Sequence, residues 1–266
     1  MSASYEDKVR ALRRRLQKLE SAVVAFSGGV DSSVLVALAF EELGNRMAAA
    51  TALSPSIPER DRASSAQICV KIGAPHRFVE TSEFENPAFT SNPEERCYFC
   101  KRHLYERMTG LADELGFAFV VEGTNASDLD GHRPGYRASR ENGRVATPLV
   151  DEGFTKEEVR KLATELGLES AQKPASACLA SRVPTGVMLT PELMQRIDAA
   201  EEAVRRIVPG QVRVRHHGEL ARIELCENTL SAAVENRREI VSKLRELGWK
   251  FVSLDLCGYR TGGAQG

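Results

Sequence analysis

The sequence contains no apolar run approaching the ~20 residues of a membrane-spanning helix, so it predicts no span. It also lacks the apolar core of a secretory signal, because residues 5–20 are highly charged and read as a helix. A cytoplasmic location with reduced thiols is the expectation. Neither sign of charge dominates. Lys and Arg number 36 against 37 Asp and Glu, for a formal net charge of −1, which gives no support for broad binding to nucleic acid. There is no internal repeat and no low-complexity segment; only Thr261–Gly266 reads as flexible. Cysteine is scarce, with six in 266 residues. In a reducing compartment these read as core residues, metal ligands or catalytic groups rather than a disulfide framework.

The most informative stretch that is present is Val23-Val24-Ala25-Phe26-Ser27-Gly28-Gly29-Val30-Asp31-Ser32-Ser33. Four apolar residues suggest a buried strand, the glycines a turn, and Asp31 onward an apolar helix to Leu43. Glycine lets the backbone approach a ligand closely, and the following helix start directs unpaired N–H groups at an anion. This is a phosphate cradle without the Walker-type Gly-Lys-Ser/Thr ending. The plain alternative is a glycine turn capped by Asp31 in any α/β fold.

Further strands are expected over Met47–Ser54, His76–Thr81 and Phe117–Glu122, with helices over 59–72 and 101–115. Such alternation predicts an α/β fold with a doubly wound parallel sheet and ligands at the carboxyl ends of its strands. Ser27, Ser54, Gly123 and Thr124 fall at such ends and can border one crevice. Thr155–Leu166 is an amphipathic helix, with Val159, Leu162, Ala163 and Leu166 on one face. A second region begins near Leu189, where Thr190 caps a helix with Pro191 in its first position. Strands 212–215 and 221–225, a helix 230–247 and a strand 251–256 complete a smaller α+β unit. The expected domains are therefore 1–186 and 187–258, with a tail over 259–266.

Cys97 and Cys100 stand at C-x-x-C spacing, which suits one metal, one cluster or a redox disulfide. Cys178 follows much later, inside Lys173-Pro174-Ala175-Ser176-Ala177-Cys178-Leu179-Ala180-Ser181-Arg182. With His103 the three thiols can also form a zinc set, and the pair alone can be a dithiol that delivers persulfide. Cys69, Cys226 and Cys257 have no partner at ligand spacing and read as core or bystanders. Arg213 and Arg215 alternate on one strand, so their guanidinium groups share a face and can fork onto a phosphate. A solvated strand face is the alternative. Glu201 reads as a solvated helix carboxylate or a metal ligand, His216 and His217 carry no assigned chemistry, and Trp249 reads as core.

Ser27-Gly28-Gly29-Val30-Asp31-Ser32 resembles the PP-loop of the N-type ATP pyrophosphatases. That resemblance implies cleavage of ATP between its α and β phosphates, with Ser27, Gly28, Gly29 and Ser32 on the pyrophosphate and Asp31 on Mg²⁺. The wider order resembles the LarE family from about Tyr5 to Arg260. It comprises the loop, Glu122-Gly123-Thr124-Asn125, Asp128, Arg133-Pro134-Gly135, the Pro174–Arg182 stretch, Val212-Arg213-Val214-Arg215-His216 and Ala221-Arg222-Ile223-Glu224-Leu225. These are ATP-dependent sulfur transferases that act on pyridinium-3,5-biscarboxylic acid mononucleotide in nickel-pincer cofactor biosynthesis. Cys97, Cys100 and Cys178 match the three-cysteine branch, which is associated with a [4Fe–4S] cluster. Three thiolates leave one iron without a protein ligand, and that iron is expected to carry the hydrosulfide donor.

The resemblance further implies catalytic roles for Cys178, Lys101, Asp31 and Arg133, with Lys101 and Arg133 near the reacting carboxylate. It places Ser181, Arg182, Arg213 and Arg215 toward the phosphorylated pyridinium nucleotide, and matches Glu201 and Glu224 to carboxylates of the second region. A sulfide source, cofactor-pathway proteins and a second copy of the chain are the implied partners. A tRNA thiolase shares the adenylation logic but needs a basic surface for RNA, which the balanced charge disfavours. A non-catalytic nucleotide-binding module is the reading from another class; the intact Asp31 and the cysteine trio disfavour it.

Overall fold

Val23 and Val24 point to opposite faces of strand β1 (Ala22–Ala25), and each enters a different apolar core. A strand buried on both faces has no polar alternation, which is why these residues read as a continuous apolar run. The computed structural model describes residues 4–129, 134–174 and 176–260. Arg133 and the tail from Thr261 lie outside them.

The chain divides into two compact units: Met1–Phe89 with Glu95–Ser176, and Thr90–Glu94 with Ala177–Gly266. The first unit holds β1, β2 (Met47–Leu53), β3 (His76–Glu80), β4 (Phe119–Val121) and β5 (Val145–Ala146), all parallel, in the order β3-β2-β1-β4-β5. This is the expected α/β architecture. The strand order reverses between β1 and β4, so the crevice outside their carboxyl ends is where a ligand binds in such a sheet.

The helices of this part of the chain are α1 (Tyr5–Gln17), α2 (Val30–Leu43), α3 (Glu59–Ile72), α4 (Pro87–Thr90), α5 (Arg96–Leu115), α6 (Pro134–Glu141), α7 (Pro148–Asp151) and α8 (Lys156–Glu165). On one face of the sheet Leu12 and Leu16 of α1, Val34, Leu35 and Leu38 of α2, and Val159 and Leu162 of α8 pack with Val24. On the other, Met108 and Ala112 of α5 pack with Val23, Ala50 and Val120. Helix α2 is buried nearly all round, which its continuous apolar sequence requires.

Three local features differ from the sequence expectation. Helix α5 starts at Arg96 rather than near Lys101, so Cys97 and Cys100 lie in its first turns. Strand β5, at two residues, is too short to leave a periodic signal. The helix expected over 230–247 is broken at Asn236, which stands between α10 (Leu230–Glu235) and α11 (Arg237–Glu246).

In the second unit, α9 (Pro191–Ile207) starts at the expected cap, where Thr190 Oγ1 accepts from the Leu193 amide at 3.2 Å. Strands β6 (Val212–His217) and β7 (Leu220–Leu225) form an antiparallel hairpin, and β8 (Phe251–Leu254) joins β7 in parallel. The segment 90–94 belongs here because the Gly186 and Leu189 amides donate to the carbonyls of Asn92 and Thr90, at 2.9 and 2.8 Å. Asn92 is fully buried with φ +55°, and its side-chain amide donates to the Pro184 carbonyl at 2.7 Å.

Burial, as the main cause, holds His76, His216 and His217 below the ordinary imidazole range. Arg77 adds to this for His76, Arg196 and then His217 for His216, and Arg222 and Arg215 for His217. The folded chain therefore binds these protons more weakly than the unfolded chain does. The resulting stability is complete above the unfolded histidine pKa of about 6.5 and is lost as pH falls through the folded values. The urea midpoint is expected to drop between about pH 7.5 and pH 5.5, with His216→Gln flattening part of that slope; a rise in midpoint would contradict this account.

Candidate functional site

Gly28 adopts φ +70°, a left-handed conformation that disfavours any side chain. A Cβ here would stand 3.5 Å from Ser65 of α3 and 3.6 Å from Lys173 Nζ, so both neighbours lie directly against the turn. The turn brings the Ser27 and Ser32 hydroxyls to 3.2 Å, with the Ser27 amide 3.3 Å from Ser32 Oγ and the Gly29 amide 3.3 Å from Ser27 Oγ. These bonds are long, so phosphate oxygens can replace them at small cost. Gly29 is the N-cap of α2 and brings no side chain to its amides. The helix start therefore presents N–H donors and the positive end of its dipole.

Gly123, just beyond β4, closes the other side. A Cβ there would lie 3.2 Å from the Ser32 amide nitrogen and 3.3 Å from Asp31 Cβ, so glycine is what lets the end of β4 reach the loop. The structure thus brings Ser27, Gly28, Gly29, Asp31, Ser32 and Gly123 together. Asp31 accepts from Asn125 Nδ2 at 2.9 Å on one oxygen and is ion-paired with Lys156 on the other. Asn125 is fully buried and is itself held by Asp128, at 2.8 Å. Thr124 turns toward Glu122, donating to its carboxylate at 2.9 Å.

Two lysines at this loop escape a reading of the sequence. Lys156 opens α8 behind a capping box formed by Thr155 and Glu158. Lys173 reaches the Gly28 carbonyl at 3.1 Å and Asp61 at 3.3 Å. Neither carries a motif signal at its own position; only the Lys173-Pro174 string hints at the second. Ser54 lies beyond β2, is buried, and bonds to Ser56 at 2.6 Å and to the buried carboxylate of Glu83.

Glu122, also buried, stands one residue before Gly123 and faces helix α5. The Lys101 ammonium is held well above its usual range by Tyr105 first, against the opposing effect of burial, and then by Glu122, Cys100 and Cys97. Its nitrogen lies 5.5 Å from the centroid of the Tyr105 ring. A Cβ on Gly135 of α6 would stand 3.1 Å from Lys101 Cγ, so that glycine lets α6 cover the lysine stem. Cys97 is exposed and Cys100 half-buried, one helical turn apart on the same face.

None of the six cysteines forms a disulfide, and among the described residues no group of three or more His, Cys, Asp or Glu is gathered as a metal site. The Cys97–Cys100 pair has the soft-donor chemistry of a cluster or zinc, and Cys178 belongs to the second unit. The zinc set with His103 is not supported, because its Nε2 accepts from the Ser82 amide at 3.0 Å. Cys69 is core; burial pushes its thiol up to about 12, so it stays protonated.

In the second unit Cys178 directly precedes a 3₁₀ turn, Leu179–Arg182. Arg182 is fully buried and forks onto Glu201 at 2.7 and 3.1 Å, while its remaining nitrogen donates to the Ala177 and Cys178 carbonyls at 2.7 and 2.9 Å. Glu201 is therefore not a solvated carboxylate. Arg213 and Arg215 share a strand face, but that face is buried rather than solvated. The fork of Arg215 is occupied by Glu224, at 3.0 and 2.8 Å, and its third nitrogen donates to the Ser181 carbonyl at 2.7 Å. The Arg213 guanidinium lies over the Tyr259 ring, 5.2 Å from its centroid. Arg182 and Arg215 clamp the turn that carries Cys178.

A family model described as asparagine synthase matches residues 8–90, which include the phosphate loop. A glutamine-hydrolyzing GMP synthase chain of Thermococcus kodakarensis is 31% identical over 61% of this chain and 56% of its own length. An uncharacterized Synechocystis protein is 42% identical over 97% of this chain and 96% of its own length. The pyridinium-3,5-bisthiocarboxylic acid mononucleotide synthase of Lactiplantibacillus plantarum is 32% identical over 98% of this chain and 94% of its own. The chain belongs to the family of that synthase, the LarE family. The phosphate loop of this LarE-family chain thus rests on three close approaches, at Gly28, Gly123 and Lys173.

Gly123→Ala is expected to weaken binding of a nonhydrolysable ATP analogue about tenfold or more, since a displacement of a few tenths of an ångström falls on the Ser32 amide. Gly143→Ala, where a Cβ meets nothing within 4 Å, is the control and should bind normally in the same titration. Glu201→Ala strands the buried Arg182 charge and is expected to cost about 3–5 kcal/mol in urea unfolding.

Proposed function

We propose that this protein is an ATP-dependent sulfur transferase that converts the carboxylates of pyridinium-3,5-biscarboxylic acid mononucleotide into thiocarboxylates. The observation that carries the reading lies at the end of β4. Gly123 touches the phosphate loop while the adjacent Glu122 acts electrostatically on Lys101, as do Cys97 and Cys100, which supports a nucleotide cradle served by the thiol pair. The family's named synthase supports the choice of substrate.

In this reading Ser27, Gly28, Gly29 and Ser32, with the start of α2, hold the β and γ phosphates, and Ser54 and Thr124 border the rest of the nucleotide. The Asp31 carboxylate is a hard oxygen donor suited to Mg²⁺, and taking that role requires Lys156 to release one of its oxygens. A substrate carboxylate oxygen attacks the α-phosphorus and pyrophosphate leaves; Lys101 and Arg133 offset the negative charge of the carboxylate. Hydrosulfide then attacks the acyl carbon and AMP leaves, giving the thiocarboxylate. Activation comes first because a free carboxylate repels a sulfur anion. Two carboxylates need two such rounds.

Cys97, Cys100 and Cys178 would hold a [4Fe–4S] cluster, which when bound supplies the sulfide from its protein-free iron. Membership of the family supports a phosphomonoester site at Ser181, Arg182, Arg213 and Arg215, which makes the second unit the substrate region. A cytoplasmic homo-oligomer served by a separate sulfide source completes the proposal.

The test is pyrophosphate release from ATP by the anaerobically reconstituted protein. Stimulation by the pyridinium mononucleotide and not by tRNA is expected, with Asp31→Ala lowering the rate about hundredfold or more. Stimulation by tRNA alone would reassign the protein to RNA thiolation. Iron and sulfide should load with the wild type; a Cys178→Ala variant that keeps both metal and activity would sink the cluster assignment.

A further inference from the structure

The phosphate loop has a second cation whose bonds differ in kind from the strong ion pairs nearby. Lys173 Nζ stands 3.1 Å from the Gly28 carbonyl, 3.3 Å from Asp61 Oδ1 and 3.4 Å from Ser64 Oγ. Charge-assisted N–H···O bonds ordinarily close to about 2.7–2.9 Å. Lys8 of the same unit does so, at 2.8 Å to the Gly153 carbonyl and 2.9 Å to both oxygens of Glu158. Lys156, the other loop lysine, is held tightly by Asp31. The Lys173 ammonium is thus shared loosely among three acceptors, while Lys156 is committed to one carboxylate.

Its surroundings keep it in place for such a role. The backbone carbonyls of Ala171 and Lys173 accept from the Arg160 guanidinium of α8, at 2.5 and 3.2 Å. Asp61, nearly buried on α3, is oriented by Ser176 Oγ at 2.5 Å. The stem is therefore fixed at its root and its counter-charge is fixed at the tip. The ammonium lies 3.6 Å from the position a Gly28 Cβ would take, directly against the phosphate loop.

Charge makes the shift favourable. Around the loop Lys156 and Lys173 are matched by Asp31 and Asp61, so the cradle's own charges nearly cancel. The pyrophosphate portion of ATP brings several negative charges, of which one Mg²⁺ cancels two. We propose that Lys173 is a phosphate ligand of the bound nucleotide: its ammonium leaves the Gly28 carbonyl for the β and γ phosphate oxygens, with Asp61 as its anchor. The inference rests on the nucleotide reading above and adds a binding residue to it.

Titration of the full-length protein with Mg²⁺ and α,β-methylene-ATP, and separately with AMP, tests it. Lys173→Met should lose about 10–100-fold in affinity for the analogue, the effect of one charge-assisted bond, with AMP affinity unchanged and Lys173→Arg recovering most of the loss. Equal binding of the analogue by Lys173→Met and wild type overturns the proposal, and so does an equal loss for analogue and AMP, which marks a purely structural role. Should Lys173→Met fail to fold, acetylation of Lys173 in the wild-type protein, read by peptide mass spectrometry, decides the matter. Slowing of acetylation by the analogue and not by AMP supports the assignment, and the absence of protection overturns it. A wild-type protein that binds no analogue at all removes the nucleotide reading itself, a failure distinct from that of Lys173 alone.

Discussion

The approach of Gly123 to the first turn of α2 is the constraint on which the site depends. Strands β1 and β4 are neighbours, and the order of the sheet reverses between them, so the loops that leave their carboxyl ends open away from one another. A site forms there only if the two loops meet again at the base. They meet where a Cβ on Gly123 would stand 3.2 Å from the Ser32 amide, with no layer of side chains between. That contact presents the helix amides and the Asp31 carboxylate from one side and Glu122 from the other.

Electrostatic order is built outward from this contact in pairs. Asp31 has Lys156 and Asn125, Asp61 has Lys173 and Ser176, and Glu122 has Thr124. The second unit follows the same rule more deeply, with Arg182 on Glu201 and Arg215 on Glu224, all nearly or fully buried. Buried pairs of this kind add little net stability, since desolvation offsets most of the attraction, but losing one partner leaves a charge with no solvent to receive it. Their structural result is directional: both arginines also donate to the backbone between Ala177 and Ser181, which immobilises the turn bearing Cys178.

How much of this is legible in the sequence depends on how local each feature is. The phosphate cradle is, because strand, glycine turn and helix start are contiguous and each follows from residue type. The parallel sheet is, because apolar runs alternate with helical periods. Lys156 and Lys173 are not, since they reach Asp31 and Gly28 across 125 and 145 residues. The alternation of Arg213 and Arg215 places both on one face, but does not say whether that face is solvated. Only the β6–β7 pairing brings Glu224 alongside and buries the group.

The sequence by itself determined the chemistry on offer: a loop that binds an anion through backbone amides, an acid beside it, a thiol pair at one-turn spacing, and a third thiol in a Ser-Arg turn. These are properties of residue type and short spacing, and they survive in any fold that forms the local element. The tertiary structure decided which charges face one another and which are available. It committed Lys156 to Asp31 and Arg215 to Glu224, left Lys173 loosely shared, and turned His103 toward Ser82. Partners of that kind are chosen by distance in space, and long-range proximity leaves no mark on a single chain's periodicity.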